Sequence, residues 1–332
     1  MRSRVSRART SNAPLLVSAF FGLLTAPLDL DAQGRKTATV CYLAYAPSPP
    51  HDEAFIQGLR DLGYSQGRNV AIHSLSADGR FDRFPGIVDE CIRRKPDVIV
   101  ALTTPGALAA KKATRTIPIV SGPTGDPVAT GIVASLARPE ANVTGVTQMG
   151  PGLTAKRLEL LKQALPRLSK ISILANRSDP VATSQLQELQ RTAERLGIQT
   201  RVHDVQNPQQ LEEAVAAAAR HKDEALITTI ETIFLVQRAR LVELAAKHRL
   251  PVMSPYREVA EAGALLSYGP NRPALYRRMA VFVDKILKGA SPGDLPVEQA
   301  SEFELVVNLK TAAAFGESIS PSFLLRADHV IR

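Results

Sequence analysis

Thr103-Thr104-Pro105-Gly106 is the segment of this 332-residue chain best suited to hold an anion. It follows an apolar run ending at Leu102, and Thr104 suits a helix N-cap with Pro105 at the first helical position. Such a start leaves backbone N–H groups unpaired at the positive end of the helix, where a carboxylate binds. The plainer role, in which Thr104 only caps its own helix, fits the same residues. Ser121 and Asp126 lie in the turn Ser121-Gly122-Pro123-Thr124-Gly125-Asp126-Pro127, where Asp126 either meets a ligand ammonium or caps a helix starting at Pro127. Tyr45 and Ser48 leave the apolar run 37–45, Tyr45 offering an aromatic face to a ligand or to the core.

The second half of the chain repeats these features. Asn176 and Asp179 occupy the turn Asn176-Arg177-Ser178-Asp179-Pro180, Glu231 follows a run ending at Thr229, and Tyr256 follows Ser254. Glu231 is the preferred ammonium partner, because a carboxylate buried on closure of a cleft needs an opposite charge or hydrogen bonds to offset desolvation. Tyr268, in an extended piece, serves as a hinge or stacks on a ligand ring.

Covalent and redox chemistry find no comparable support. The chain has no Walker A loop, dinucleotide glycine fingerprint, HExxH helix or Gly-x-Ser-x-Gly elbow, so no enzyme and no cofactor are expected. His51, His73, His203, His221, His248 and His329 are scattered in polar surroundings and read as surface residues rather than metal ligands. Two cysteines, Cys41 and Cys91, cannot build a disulfide framework or a zinc site; both read as core residues, and a bridge between them is left open. The 41 basic and 32 acidic residues give +9, but no basic block exceeds Arg93-Arg94-Lys95, so the excess reads as solvated surface rather than a nucleic-acid footprint.

Arg2, Arg4, Arg7 and Arg9 precede an apolar stretch at 14–28 that is shorter than the ~20 residues needed to span a bilayer. This pattern predicts a secretory signal over 1–32 with cleavage near Ala32, a soluble periplasmic product and no lipid anchor. No later segment reaches membrane-spanning length.

Beyond Lys36, short β-branched runs alternate with amphipathic segments, the pattern of parallel sheets covered by helices on both faces. The first series predicts strands at 37–45, 70–75, 97–102 and 117–120 and helices at 51–62, 81–94, 105–113 and 128–136. The second predicts strands at 171–175, 200–205, 225–229 and 251–254 and helices at 153–164, 180–196, 208–220, 234–248 and 257–262. Extended pieces at 142–147, 263–270 and 296–309 suit crossings between two lobes. The expected division is 36–146 plus 269–296 for the first lobe and 147–268 plus 297–332 for the second. Ligands of open α/β sheets bind beyond the strand carboxyl ends, so the cleft between the lobes is the expected site.

Phe55-Ile56-Gln57-Gly58-Leu59-Arg60-Asp61-Leu62-Gly63-Tyr64 and Gly67-Arg68-Asn69-Val70 resemble the opening of a family of ABC-transporter substrate-binding proteins. Gly125-Asp126-Pro127-Val128, Asn142-Val143-Thr144-Gly145, Ser267-Tyr268-Gly269-Pro270-Asn271 and Phe303-Glu304-Leu305-Val306-Val307-Asn308-Leu309-Lys310-Thr311-Ala312 extend the likeness to essentially the whole exported chain. The resemblance implies an α/β periplasmic binding protein type I fold, two doubly wound parallel-sheet lobes joined by about three crossover segments. It also implies a monomeric receptor that carries a small solute, in some relatives an aromatic amino acid, to a membrane ABC permease. The competing readings are a sensor subunit for a membrane signalling protein, the effector core of a transcription regulator, which would carry a helix-turn-helix where the export segment stands, and a hydrolase or isomerase.

Overall fold

The computed structural model describes residues 37–148 and 152–332; the expected export signal over 1–32 and the expected cleavage near Ala32 lie outside them. Two sheets form the chain's framework. In the first, β1 (Ala38–Ala44), β2 (Val70–Ser76), β3 (Val98–Ala101), β4 (Ile119–Thr124) and β5 (Val143–Thr147) stand in the order β2-β1-β3-β4-β5. In the second, β6 (Lys170–Ala175), β7 (Gln199–Asp204), β8 (Ala225–Thr228), β9 (Val252–Ser254) and β10 (Leu266–Pro270) repeat that order as β7-β6-β8-β9-β10. A short strand, β11 (Glu298–Gln299), pairs with β5 at the edge of the first sheet. The second sheet continues through β12 (Phe303–Asn308) and β13 (His329–Ile331), and among the described residues the β10–β12 pair is the antiparallel one.

The central strands β1, β3, β6 and β8 read as nearly unbroken apolar runs because both faces of each sheet are covered. Along β1, Val40, Tyr42 and Ala44 enter one core cluster, and Cys41, Leu43 and the following Tyr45 enter the other. The same alternation separates Ile171, Ile173 and Ala175 from Leu174 in β6. Cys41 and Cys91 are free thiols fully buried in one of these clusters.

Helices α1 (Pro49–Asp61), α2 (Phe84–Arg93) and α3 (Thr104–Ala113) follow the first three strands. In the second lobe come α4 (Leu153–Ala164), α5 (Ala182–Leu196), α6 (Pro208–Arg220), α7 (Thr232–Val236), α8 (Arg238–Lys247) and α9 (Arg257–Ala262). Helix α10 (Arg272–Leu287) returns to the first lobe, where Leu275, Met279, Phe282 and Val283 share a core with Phe55 and Leu59 of α1. Two short helices, α11 (Leu309–Phe315) and α12 (Pro321–Leu324), precede β13. The chain thus passes between sheets three times: after β5, between β10 and α10, and between β11 and β12. The last passage falls beyond Gln299, a few residues later than the sequence pattern suggests, because Glu298 and Gln299 still pair with Val146 and Thr147.

The helix expected at 128–136 does not form. The Asp126 carboxylate accepts the N–H groups of Val128 and Ala129 at 3.0 and 2.9 Å, and Gly131 takes φ 73°, so the segment folds into turns. Only Ile132, Val133 and their immediate surroundings enter the core there, too little apolar surface to hold a helix. The helix expected at 234–248 is broken at Gln237, which separates α7 from α8.

Candidate functional site

The carboxyl ends of β1, β3, β4 and β8 converge on a cavity of about 150 Å³. The first lobe lines it with Tyr45, Ser48, Thr103 and Pro123, and the second with Thr232, Leu235, Val236 and Arg238. Arg272 and Tyr276, on the first turns of α10, complete the wall. The orders 2-1-3-4-5 and 7-6-8-9-10 place their switch points beside β1 and β6, where ligand crevices of open α/β sheets form.

Thr103 carries local strain at the cavity wall. Its backbone has φ 67° and ψ 159°, a costly region for a residue with a Cβ, of the kind found at ligand clamps. Its hydroxyl caps α3 by accepting the Gly106 N–H at 3.4 Å. This corrects the expected N-cap by one position. Thr104 is the first helical residue, and its buried hydroxyl accepts the Gly125 N–H at 3.1 Å, tying the turn after β4 to α3.

Ser48 and His51 join the cavity wall to the opposite lobe. Ser48 Oγ lies 2.7 Å from His51 Nδ1, and His51 Nε2 lies 2.7 Å from Glu258 Oε1 on α9. The His51 side chain is only 3 % exposed and stacks on the Tyr276 ring at 5.0 Å, so this histidine is interior, not the surface residue its polar neighbours suggest. Burial raises the Glu258 carboxyl, but the His51 hydrogen bond and the charges of Arg272 and His51 outweigh it and hold the group at about 2.

The second lobe supplies two buried acids. Asp179 is pushed up to about 6 by burial, opposed by the Val181 N–H that its Oδ1 accepts at 3.1 Å. Its charge reaches across the cleft to Tyr45, whose hydroxyl is raised to about 12 by burial first and by Asp179 second. Glu231 is pushed up to about 8 by burial and then by Asp179. The structure does not bring Glu231 to the cavity wall: Gln185 Nε2 donates to its Oε1 at 3.2 Å, and Thr229 Oγ1 contacts its Oε2. Thr229 Oγ1 also lies 3.0 Å from the Leu174 carbonyl, and one hydroxyl hydrogen cannot serve both acceptors. A protonated Glu231 resolves this by donating to Thr229, which donates onward to Leu174.

Glutamine keeps the Gln185 and Thr229 contacts without a titrating proton, losing only the long 3.5 Å Asn176 N–H contact to Oε2. A raised folded pKa means that ionisation opposes folding, so this carboxyl's stabilisation is complete below about 4.5 and is lost as pH rises through about 8. Glu231→Gln is expected to remove a fall in stability of about 1.4 kcal/mol per pH unit over that window. Denaturant midpoints between pH 5 and 8 measure it, and an unchanged slope rejects the protonated form.

The other expected site residues fall into three groups. Tyr45, Ser48 and Thr103 line the cavity. Tyr256 is buried beneath Arg272, whose guanidinium lies 5.0 Å from its ring centroid, and donates its hydroxyl to the Ile230 carbonyl. The rest serve their own lobes. Ser121 is in the middle of β4 rather than after it and donates to the Thr144 carbonyl at 3.1 Å. Asp126 closes its own turn, and the Asn176 Oδ1 accepts from the Ser178 N–H and hydroxyl. Tyr268 packs on Phe303 at 6.2 Å, and its carbonyl accepts Arg157 Nε at 2.8 Å. The residues not anticipated, Arg272, Tyr276, His51 and Glu258, come from the first two turns of α10, α1 and α9; only α10 follows a crossing, and Tyr268-Gly269-Pro270-Asn271 is the signal for Arg272.

Among the described residues no group of His, Cys, Asp and Glu is placed to hold a metal ion, and no helix is long and apolar enough to cross a membrane. The chain is 27% identical over 285 residues, 86% of its own length and 82% of the relative's, to a tyrosine-binding protein of Clostridioides difficile (strain R20291). It superposes with a TM-score of 0.83 on a Streptococcus pneumoniae ABC domain in complex with L-Trp, at 25% identity and covering 89% of this chain and 100% of that one. On a ligand-free, open substrate-binding protein with adhesive properties from Clostridium difficile the TM-score is 0.64, also at 25% identity, covering 89% and 99%. The family model described as ABC transporter substrate binding protein matches residues 51–331, and with two lobes of repeated strand order around a cleft the chain belongs to that family.

Proposed function

We propose that this protein is an exported, monomeric periplasmic receptor that closes on an aromatic amino acid and delivers it to an ABC permease, without turning it over. The observation carrying this reading is the cavity enclosed by both lobes, with aromatic and aliphatic walls at Tyr45, Leu102, Leu235, Val236 and Tyr276. Tyrosine and tryptophan, named for two relatives, are the ligands to try first. Closure is supported by the His51–Glu258 contact between α1 and α9 and by the higher TM-score to the L-Trp complex than to the open protein at equal identity. The lobes then exchange between an open form that captures solute and a closed form that presents both lobe faces to the permease.

Asp179 is not itself a wall residue, but its charge acts on Tyr45 of the wall, and it is the ammonium partner in this reading. It is 5% exposed, and burial without a counter-charge raises its pKa. An arriving ammonium supplies that charge, whereas Glu231 is satisfied within its own lobe. Because the ionised form binds, tyrosine affinity is expected to rise about tenfold per pH unit up to about pH 6 and then level off. Asp179→Asn flattens this profile and weakens binding at pH 7 by at least about 1.5 kcal/mol. Isothermal titration of tyrosine and tryptophan between pH 5 and 8 tests both statements; no heat with either ligand sinks the reading, and a flat wild-type profile removes Asp179 from it.

A further inference from the structure

We infer that Arg272 holds the ligand carboxylate, an assignment that rests on the amino-acid reading above and names the group that recognises the acid. Arg272 begins α10 immediately after the second passage between the lobes, so its backbone stands at the hinge while its side chain lines the cavity. The residue is 7% exposed. Its guanidinium lies over two rings, Tyr256 of the second lobe at 5.0 Å and Tyr276 of the first at 5.7 Å.

Two hydrogen bonds and two rings fix the plane of this cation and leave the Nε–H without a partner. Nη1 donates to Gln148 Oε1 at 2.9 Å and Nη2 to the Tyr276 hydroxyl at 3.4 Å, while Nε has no partner. Among the described residues no carboxylate makes an ion pair with Arg272. Glu258 acts on it electrostatically, but Glu258 Oε1 is bound to His51. Burial disfavours this cation, but Tyr276, Tyr256 and Glu258 outweigh it and keep Arg272 charged, so a ligand carboxylate arriving at the preorientated Arg gains a charge-assisted hydrogen bond.

The other cations fit the role less well. Arg238 also lines the cavity, but it is exposed and its Nη1 is engaged by the Leu235 carbonyl at 3.1 Å. Arg157 is buried with both Nη atoms unpartnered, but it does not reach the cavity wall. The α3 start, expected from sequence to take the carboxylate, has its Gly106 N–H already capped by Thr103. Because the Arg272 plane is held by rings from both lobes, a carboxylate bound there completes a contact that exists only in the closed form.

Calorimetric titration of tyrosine and of tyramine, which lacks the carboxylate, into wild type, Arg272→Gln and Arg272→Lys decides the matter. Wild type is expected to prefer tyrosine at least about 100-fold. In Arg272→Gln that preference falls at least tenfold, because tyrosine binding weakens much more than tyramine binding; a preference within threefold of wild type overturns the assignment. Arg272→Lys keeps the charge but not the planar stack and falls between the two. Should the glutamine protein fail to unfold cooperatively, the lysine protein carries the test, and a preference within threefold of wild type there overturns the assignment. Equal binding of tyrosine and tyramine by wild type also overturns it while leaving the receptor reading intact. Wild type that binds neither tyrosine nor tryptophan overturns the receptor reading and this assignment together.

Discussion

Glu258→Ala is expected to weaken tyrosine binding about 100-fold while leaving the thermal midpoint of the ligand-free protein nearly unchanged. The Glu258–His51 contact joins α9 of one lobe to α1 of the other, so only the closed form contains it. Removing one partner of a buried pair costs about 3 to 5 kcal/mol, and with the Glu258 side chain 25 % exposed the lower end applies, equivalent to about two powers of ten in affinity. In the open form both groups are hydrated, and little is lost. The depressed Glu258 pKa fixes the pH sense: its contribution is complete above about pH 4.5 and disappears as pH falls through about 2. In a cycle with His51→Ala the second substitution should add little to the first. Tyrosine affinity within threefold of wild type in Glu258→Ala removes the pair from closure.

Gly145→Ala is expected to cost at least about 4 kcal/mol of folding stability and to lower the midpoint by about 10 °C, if the protein accumulates at all. Gly145 adopts φ 143°, and a Cβ there would lie 1.9 Å from the Ser121 carbonyl oxygen and 2.7 Å from its nitrogen. These are backbone atoms of the neighbouring strand, paired with Gly145 in the β4–β5 ladder, so no side-chain rotation relieves the overlap. The strain reaches the site, because β4 runs on into Pro123 at the cavity wall. Thermal unfolding followed by circular dichroism measures the loss; a midpoint within 2 °C of wild type contradicts the clash.

The strands and most helices were legible because their signal is local. A run such as Ala38–Ala44 is apolar at every other position for one core and at the positions between for the other, and nothing else in the chain has to be known. Signals shared between adjacent residues were less secure. The sequence points to Thr104 as the cap, whereas Thr103 caps the helix and the Thr104 hydroxyl accepts the Gly125 N–H across the turn. Long-range partners left no trace. Glu231 is spent on Gln185, and His51 is interior because Glu258 and Tyr276 surround it; none of these pairs is close in sequence. Arg272 was missed for a similar reason: its value depends on two tyrosines that meet only when both lobes are assembled.

Small-angle X-ray scattering on the refolded protein, free of carried-over solute, with and without saturating tyrosine or tryptophan, measures closure itself. Two lobes that shut on an aromatic amino acid predict a smaller radius of gyration in the presence of one of these ligands, with a bound profile matching the structure described above and a free profile that is more open. Identical profiles in all three samples, at ligand concentrations well above any heat-detected affinity, would contradict closure on such a guest.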